Sequence, residues 1–320
     1  MKYRKLGNTG ILVSEVGFGS WGIGGTRNGA VGYGKTDDKT SIKAIKKAID
    51  VGINFFDTSP LYGFGHSEKL IGNTTHMFRD KVVIATKVGY LNFRGDQNFS
   101  IKHILQSVEK SLNRLKTDYI DILQLHDPKP SEFQNRKLQS FLQSLISDGK
   151  VRFIGVSLNS PEDGLLVAKN KIYKVIQFNY NLTDLRAKEI DLFKICGSNK
   201  IGLISRTPLA FGYLTGKFGS DTKLSSNDHR KRWSKKQIDQ WTSTIPYALE
   251  NNIIHGKQSY AQLAIRFCLS ENHISTVIPG MLTPKQVEEN SRSSDMGKLN
   301  DFICEYFYSN YTNHSFLGKL

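Results

Sequence analysis

INFFDTSPLYGFGHSEKLIG, residues 53–72, sets the reading of the whole chain. Apolar and β-favouring residues run into Asp57, Tyr62 follows in a turn rich in Pro and Gly, and Ser67-Glu68 opens a helical pattern. That order is a buried strand ending on a carboxylate, a short loop carrying a phenol, and a helix N-terminus. An acid at the C-terminal end of a strand, with a tyrosine just beyond it, is what the active-site mouth of an α/β barrel requires.

On the N-terminal side, residues 2–13 read as a small hairpin turning at Gly7-Asn8-Thr9-Gly10, and Val16-Gly17-Phe18 as a first short buried strand. The glycines of VGFGSWGIGG, residues 16–25, let a backbone approach a ligand closely but lack the GxGxxG spacing of a dinucleotide fingerprint. On the C-terminal side strands alternate with helices: helix 38–50, strand 53–57, helix 66–72, strand 81–87, helix 100–115, strand 119–126, helix 134–148, strand 151–157 and a helix opening at Pro161. The alternation continues with strand 174–180, helix 184–196, strand 201–206, a helix ahead of a second one over 259–270, strand 274–280 and a last helix near Pro284. Eight strands each followed by a helix predict an α/β fold, a (β/α)8 TIM barrel of one domain over 1–320. Residues 207–256 exceed what a minimal barrel needs, so a long loop and helical insertion is expected after the seventh strand, on the catalytic face.

No run of 18 apolar residues and no secretory leader appears, which places the expected home in the cytoplasm, away from membranes. Cys196, Cys268 and Cys304 are widely spaced and read as free thiols, with no metal-type pairing. The formal net charge of +15 is spread over helices instead of one aromatic-interleaved stripe, so a solvated surface is expected and not a nucleic-acid partner. One dense cluster, His229-Arg230-Lys231-Arg232, lies in a polar loop and fits steering of an anionic ligand.

Asp57, Lys87 and His126 stand at the ends of three consecutive strands, and Tyr62 follows the first of them. Singly each has an ordinary explanation: a turn cap, a solvated lysine, a structural histidine. Converging on one mouth they form a proton-transfer site. A phenol ordinarily titrates near 10, an adjacent ammonium favours the phenolate, and a buried carboxylate holds that ammonium in place. Bringing the phenol to neutrality requires about 4 kcal/mol of preferential stabilisation. His126 then orients a carbonyl oxygen that Tyr62 protonates. Such a site has no electron source of its own, which points to a nicotinamide hydride donor.

With these residues in place the chain resembles the aldo-keto reductase superfamily over nearly its whole length. The similarity runs through GFGSWGIGG, DTSPLYGFGHSE, VVIATK, DILQLH, GKVRFIGVS, QFNYNL, TPLAFGYLTGK and IPGMLTPKQVEEN. The resemblance implies a barrel that binds NADP(H), or alternatively NAD(H), across its C-terminal face without a Rossmann domain. It implies a catalytic tetrad of Asp57, Tyr62, Lys87 and His126, with Tyr62 as general acid or base. It further implies that Ser157 and Gln177 hold the nicotinamide carboxamide and that Arg206 stacks on the ring, as a planar guanidinium can. Residues 207–217 look like the loop that closes over the pyrophosphate, with Leu209, Gly212, Leu214 and Lys217 as contacts; Glu289 and Asn290 match adenine contacts. Trp21 looks like a pocket wall that meets substrate alongside Tyr62 and His126. Two sites depart from the pattern: Leu158 stands where an Asn usually follows Ser157, with Asn159 one place late, and Gly280 and Gln286 replace the Lys and Arg common at the 2'-phosphate.

The expected function is reduction of an aldehyde or ketone, a sugar or sugar derivative among the candidates, to an alcohol, in a monomer or weak homo-oligomer that needs no metal. A cofactor-binding regulatory subunit and a non-redox barrel, an isomerase, epimerase or Lys87 lyase, are the alternatives. The loop GGTRNGAVGYGK, residues 24–35, predicts an open and fairly polar pocket.

Overall fold

The computed structural model describes residues 1–250, 253 and 257–310. An antiparallel hairpin, β1 (Tyr3–Lys5) and β2 (Leu12–Ser14), precedes eight parallel strands. These are β3 (Phe18–Gly19), β4 (Phe55–Asp57), β5 (Val83–Val88), β6 (Ile120–His126), β7 (Val151–Leu158), β8 (Tyr173–Asn179), β9 (Gly202–Arg206) and β10 (Ile274–Ile278), hydrogen-bonded in sequence order. The ring closes through isolated bridges, Val16 to Val277 and Gly19 to Gly280, with Gly17 N–H donating to Val277 C=O at 2.8 Å and Gly19 N–H to Pro279 C=O at 3.0 Å. The seam, like the two-position pairing of β3 with β4, is therefore shorter than the six-position pairing of β6 with β7.

Strand periodicity sets the site. Alternate residues face the barrel interior, and Phe55, Val83, Ala85, Ile122, Val175, Ile204 and Ile278 pack there as one apolar cluster. The same parity carried to the C-terminal ends presents Asp57, Lys87, Gln124, His126, Ser157, Gln177 and Arg206 inward. Leu6, Ile11 and Val13 of the hairpin join the interior cluster and close the N-terminal end. Gly7 makes this possible: a Cβ there would lie 2.3 Å from Gly202 N. The larger core lies outside the strands, between them and the helices.

Several boundaries differ from expectation, each for a local reason. The helix expected over 134–148 is Pro130–Phe133 followed by Arg136–Ser147, because the Asn135 side chain accepts from Lys137 and Leu138 N–H and restarts the helix. The one expected over 184–196 is split into Arg186–Glu189 and Leu192–Ser198 by Asp191 at φ 57°. The insertion holds helix Lys235–Glu250, as expected, while its final residues and 311–320 lie partly or wholly outside the described residues. Helix Asp301–Ser309 was not anticipated. Among the described residues no helix is long and apolar enough to cross a membrane.

Candidate active site

Residues 53–72 build one side of the site. After β4 the chain turns through Ser59 and Pro60, and Gly63 at φ 60° presses directly on Gly24, whose carbonyl oxygen would be 2.2 Å from a Cβ at position 63. That backbone contact holds Tyr62 against the short helix Trp21–Gly24, and the Trp21 and Tyr62 rings stack at 5.4 Å. Ser67 Oγ ties the same pieces together through Ser20 Oγ at 2.7 Å and Thr58 Oγ1 at 3.0 Å. Glu68 is fully buried and accepts from Thr86 Oγ1 and Arg114 Nε, both at 2.6 Å, anchoring the helix His66–Thr75 to β5 and the next helix.

Three of the four expected catalytic side chains, Asp57, Tyr62 and Lys87, are in contact, and His126 lines the same cleft. Lys87, fully buried, donates from Nζ to Asp57 Oδ1 at 2.5 Å, to Thr58 C=O at 2.9 Å and to the Tyr62 hydroxyl at 3.3 Å. The second Asp57 oxygen accepts from Gln177 Nε2 at 2.7 Å and Gln124 Nε2 at 3.2 Å, so the carboxylate is saturated and fixed. Burial raises the Tyr62 phenol above its ordinary range and outweighs the opposing pull of Lys87. The expected lowering of the phenol is thereby reversed: in the free protein Tyr62 stays protonated at neutral pH. His126 is held well below the ordinary imidazole range by burial first and then by Lys87 and Arg206, and is neutral. Its ring meets Tyr90 edge-on at 4.7 Å.

A cleft of about 420 Å³ opens over this group. Of the expected residues it brings together Asp57, Tyr62, His126, Gln177 and Arg206, with Trp21 and Gly280 at its walls. Ser157 is not among the lining residues; fully buried, it donates to Gln177 Oε1 at 3.2 Å. Asn159 does reach the cleft despite its shifted position, its amide taken by Asp127 and by Arg206, which also donates to Leu158 C=O at 2.9 Å. Arg206 Nε is buried without a partner.

A second cleft of about 190 Å³ shares Tyr33, Thr207, Phe211 and Gly280 with the first, so the two are continuous. It is lined by Leu209, Gly212 and Lys217 on one side and by Gln286, Glu289 and Asn290 on the other. Leu214 lies in the core instead. The loop between is left-handed at Thr207, Ala210, Phe211, Gly212 and Gly216, and such strain in non-glycine residues concentrates at ligand-binding segments. At Gly280 a Cβ would have only Tyr33 near it, at 3.9 Å, so the floor there is open. Two joined clefts, a strained loop and an unpartnered guanidinium Nε fit an extended dinucleotide with its ring near Arg206. Among the described residues no group of His, Cys, Asp and Glu could hold a metal ion.

Sequence reasoning missed the aromatic wall. Tyr33, Phe211, His229 and Trp233 line the first cleft, so the pocket is far more aromatic than the glycine-rich loop implied. The basic cluster also divides: His229 and Arg230 are buried, and Arg230 pairs with Asp228 at 2.6 Å while lying over the Phe218 and Tyr33 rings. The rings of His229 and Trp233 flanking the Arg230-Lys231-Arg232 run were the available signal.

A closed (β/α)8 barrel whose C-terminal mouth joins a buried Asp–Lys–Tyr group and a neutral His to a long, continuous cleft defines a carbonyl oxidoreductase of the barrel type. The chain belongs to the aldo/keto reductase family, whose sequence profile matches residues 15–305. It is 33% identical over 296 residues to the aldo-keto reductase YhdN of Bacillus subtilis, covering 90% of this chain and 87% of that protein. It is 30% identical over 320 residues to the NADH-specific methylglyoxal reductase of Escherichia coli, with 91% and 92% covered. Among solved structures the holo form of aldo-keto reductase AKR11C1 from Bacillus halodurans shares the fold at a TM-score of 0.78 and 24% identity, over 98% of this chain and 99% of that one. The protein is accordingly an oxidoreductase that interconverts carbonyl and alcohol with a nicotinamide cofactor.

Proposed function

We propose that the chain works in the cytoplasm as a single-domain reductase of an aldehyde or ketone, including sugar-like ones, and that Asp57, Tyr62, Lys87 and His126 carry the chemistry. One contact supports this above the others: the Lys87 ammonium bridges Asp57 Oδ1 at 2.5 Å and the Tyr62 hydroxyl at 3.3 Å beneath the cleft. A reduced nicotinamide, when bound, would supply the hydride. The substrate oxygen accepts a hydrogen bond from a neutral His126 ring N–H, and as negative charge develops on it the Tyr62 O–H transfers its proton there. Lys87 stabilises the phenolate left behind, and Asp57 fixes Lys87 in position. A phenol that keeps its proton at neutral pH suits reduction, and alkaline pH suits the reverse.

Gln177 and Arg206 would hold the nicotinamide end, with Ser157 acting through Gln177. Gly212, Lys217 and the left-handed backbone of 207–217 would meet the pyrophosphate, and Glu289 and Asn290 the adenine. We assign NADP(H) as the preferred form from family habit. Gly280 and Gln286 offer no cation to a 2'-phosphate, and Lys285, lining a further surface recess with Lys217 and Arg292, is the nearest replacement on the same segment. The NADH-specific relative supports treating this preference as adjustable within the family. A barrel without long free edges supports a monomer or weak homo-oligomer.

The test is a fluorescence titration with NADPH and separately NADH, followed by turnover of a carbonyl panel. Micromolar binding of either with reduction of any panel member supports the reading, and the ratio of the two dissociation constants sets the preference. A folded protein that binds neither would overturn it in favour of a non-redox barrel.

A further inference from the structure

On the reading that the first cleft takes the carbonyl compound, we propose that the substrate carries an anionic group, phosphate or carboxylate, recognised by Arg94 and Arg232 at the mouth of that cleft. The charges lining it are unbalanced: Arg94, Arg206 and Arg232 face one carboxylate, Asp57, which Lys87 already neutralises. Among the described residues neither Arg94 nor Arg232 has a carboxylate within 4.0 Å, whereas most guanidinium groups of this chain do, including Arg4, Arg79, Arg114 and Arg186. Arg232 lies with its guanidinium carbon 4.7 Å from the centre of the Trp233 ring, which holds it over the cleft without neutralising it.

Cofactor phosphates do not account for the pair. The second cleft has its own cations for those phosphates, Lys217 and Arg230, which line it and not the first. Arg94 and Arg232 line the first cleft and not the second.

The wall beside Arg232 is also prepared for oxygen atoms. Trp21 Nε1, Trp233 Nε1 and both ring nitrogens of His229 are buried without a partner, and all three rings line the cleft. His229 is 7% exposed and Trp233 6%, and the Trp21 and His229 rings are 5.1 Å apart. Unsatisfied buried N–H groups in one wall of a cavity await acceptors. A short oxygenated carbonyl compound ending in an anion would occupy the tetrad with its carbonyl, this wall with its hydroxyl or anionic oxygens, and the two guanidiniums with its charge.

The experiment compares matched substrates with saturating cofactor: butanal against 4-oxobutanoate, and glyceraldehyde against its 3-phosphate. We expect kcat/KM to be roughly tenfold to a hundredfold higher for the anionic member of at least one pair, through KM, and this gap to shrink with added salt. The pair that responds identifies carboxylate or phosphate. Arg94→Gln and Arg232→Gln should each pull the charged-to-neutral ratio toward one while leaving the NADPH dissociation constant in place. Equal kcat/KM within both pairs, with neutral aldehydes turned over, overturns this inference and leaves the reductase reading standing. Loss of NADPH affinity in the variants also overturns it, by giving the arginines to the cofactor. Failure to reduce any of the four, while other carbonyl compounds are turned over, overturns this inference alone; failure across the whole carbonyl panel overturns both.

Discussion

Tyr62 lies 3.3 Å from an ammonium group and still keeps its proton at neutral pH, because a phenol sealed between Trp21 and Lys87 loses more by shedding hydration than it gains from the charge. Tyr62→Phe keeps the ring packing and removes the proton, so turnover should fall roughly 10²- to 10⁴-fold with NADPH affinity unchanged; undiminished turnover would reassign the proton donor. Acid should act through the histidines. Burial holds His229 at about 4 and His126 well below 6.5. Both stay neutral in the fold while the unfolded chain takes up protons as pH drops below 6.5, so their contribution is present above that value and lost on acidification. For His229 alone the loss between pH ~6.5 and ~4 is on the order of 3 kcal/mol. Urea unfolding across that range should show the slope, and His229→Gln should flatten it. The inward placement of Asp57, Lys87 and His126 was legible because strand parity fixes where they point. Tyr33, His229 and Trp233 were not, since they reach the cleft from loops whose path no periodicity sets.

At the scale of elements, helix Pro284–Met296 opens on a reciprocal cap: Gln286 N–H donates to Thr283 Oγ1 at 3.3 Å while Gln286 Oε1 accepts from Thr283 N–H at 3.2 Å and Leu282 N–H at 2.7 Å. The residue proposed to stand near a 2'-phosphate is thus also a cap. Gln286→Arg should move the NADPH-to-NADH dissociation ratio roughly tenfold toward NADPH and cost about 1 kcal/mol of stability through the lost cap. Titration and denaturant unfolding of one variant separate the two effects. Such dual use explains why element existence was readable and element ends were not. A polar side chain such as Asn135 ends one helix and starts another by a hydrogen bond to backbone, and Asp191 interrupts a helical pattern by one left-handed residue.

For the whole molecule the thin side of the ring is β3, two residues of strand that pair with β4 at two positions and with the β10 edge through two isolated bridges, against the six matched positions joining β6 and β7. Nothing larger than glycine fits at position 19, for a Cβ on Gly19 would lie 2.7 Å from Ile278 C=O and 2.8 Å from Pro279 C=O. Gly19→Ala should force the two edges apart and cost about 1–3 kcal/mol in urea unfolding. The amides of Gly17 and Gly19 should also exchange with deuterium ahead of those in β6. The eightfold alternation announced the closed ring, but the thinness of its closure was hidden in glycines that looked like ligand-approach residues and serve strand-to-strand contact as well.

Gly19 and Gly280, which close that seam, also line the first cleft, and Gly280 lines the second. A dinucleotide lying along the clefts would span the seam like a clasp. At a hundredfold excess over its dissociation constant it would add about 2.7 kcal/mol to the folded state. Limited proteolysis with and without NADPH should show the difference as a longer-lived intact chain. In a cell depleted of the dinucleotide, the protein would then be cleared faster, so the supply of its own co-reactant would govern its abundance as well as its rate.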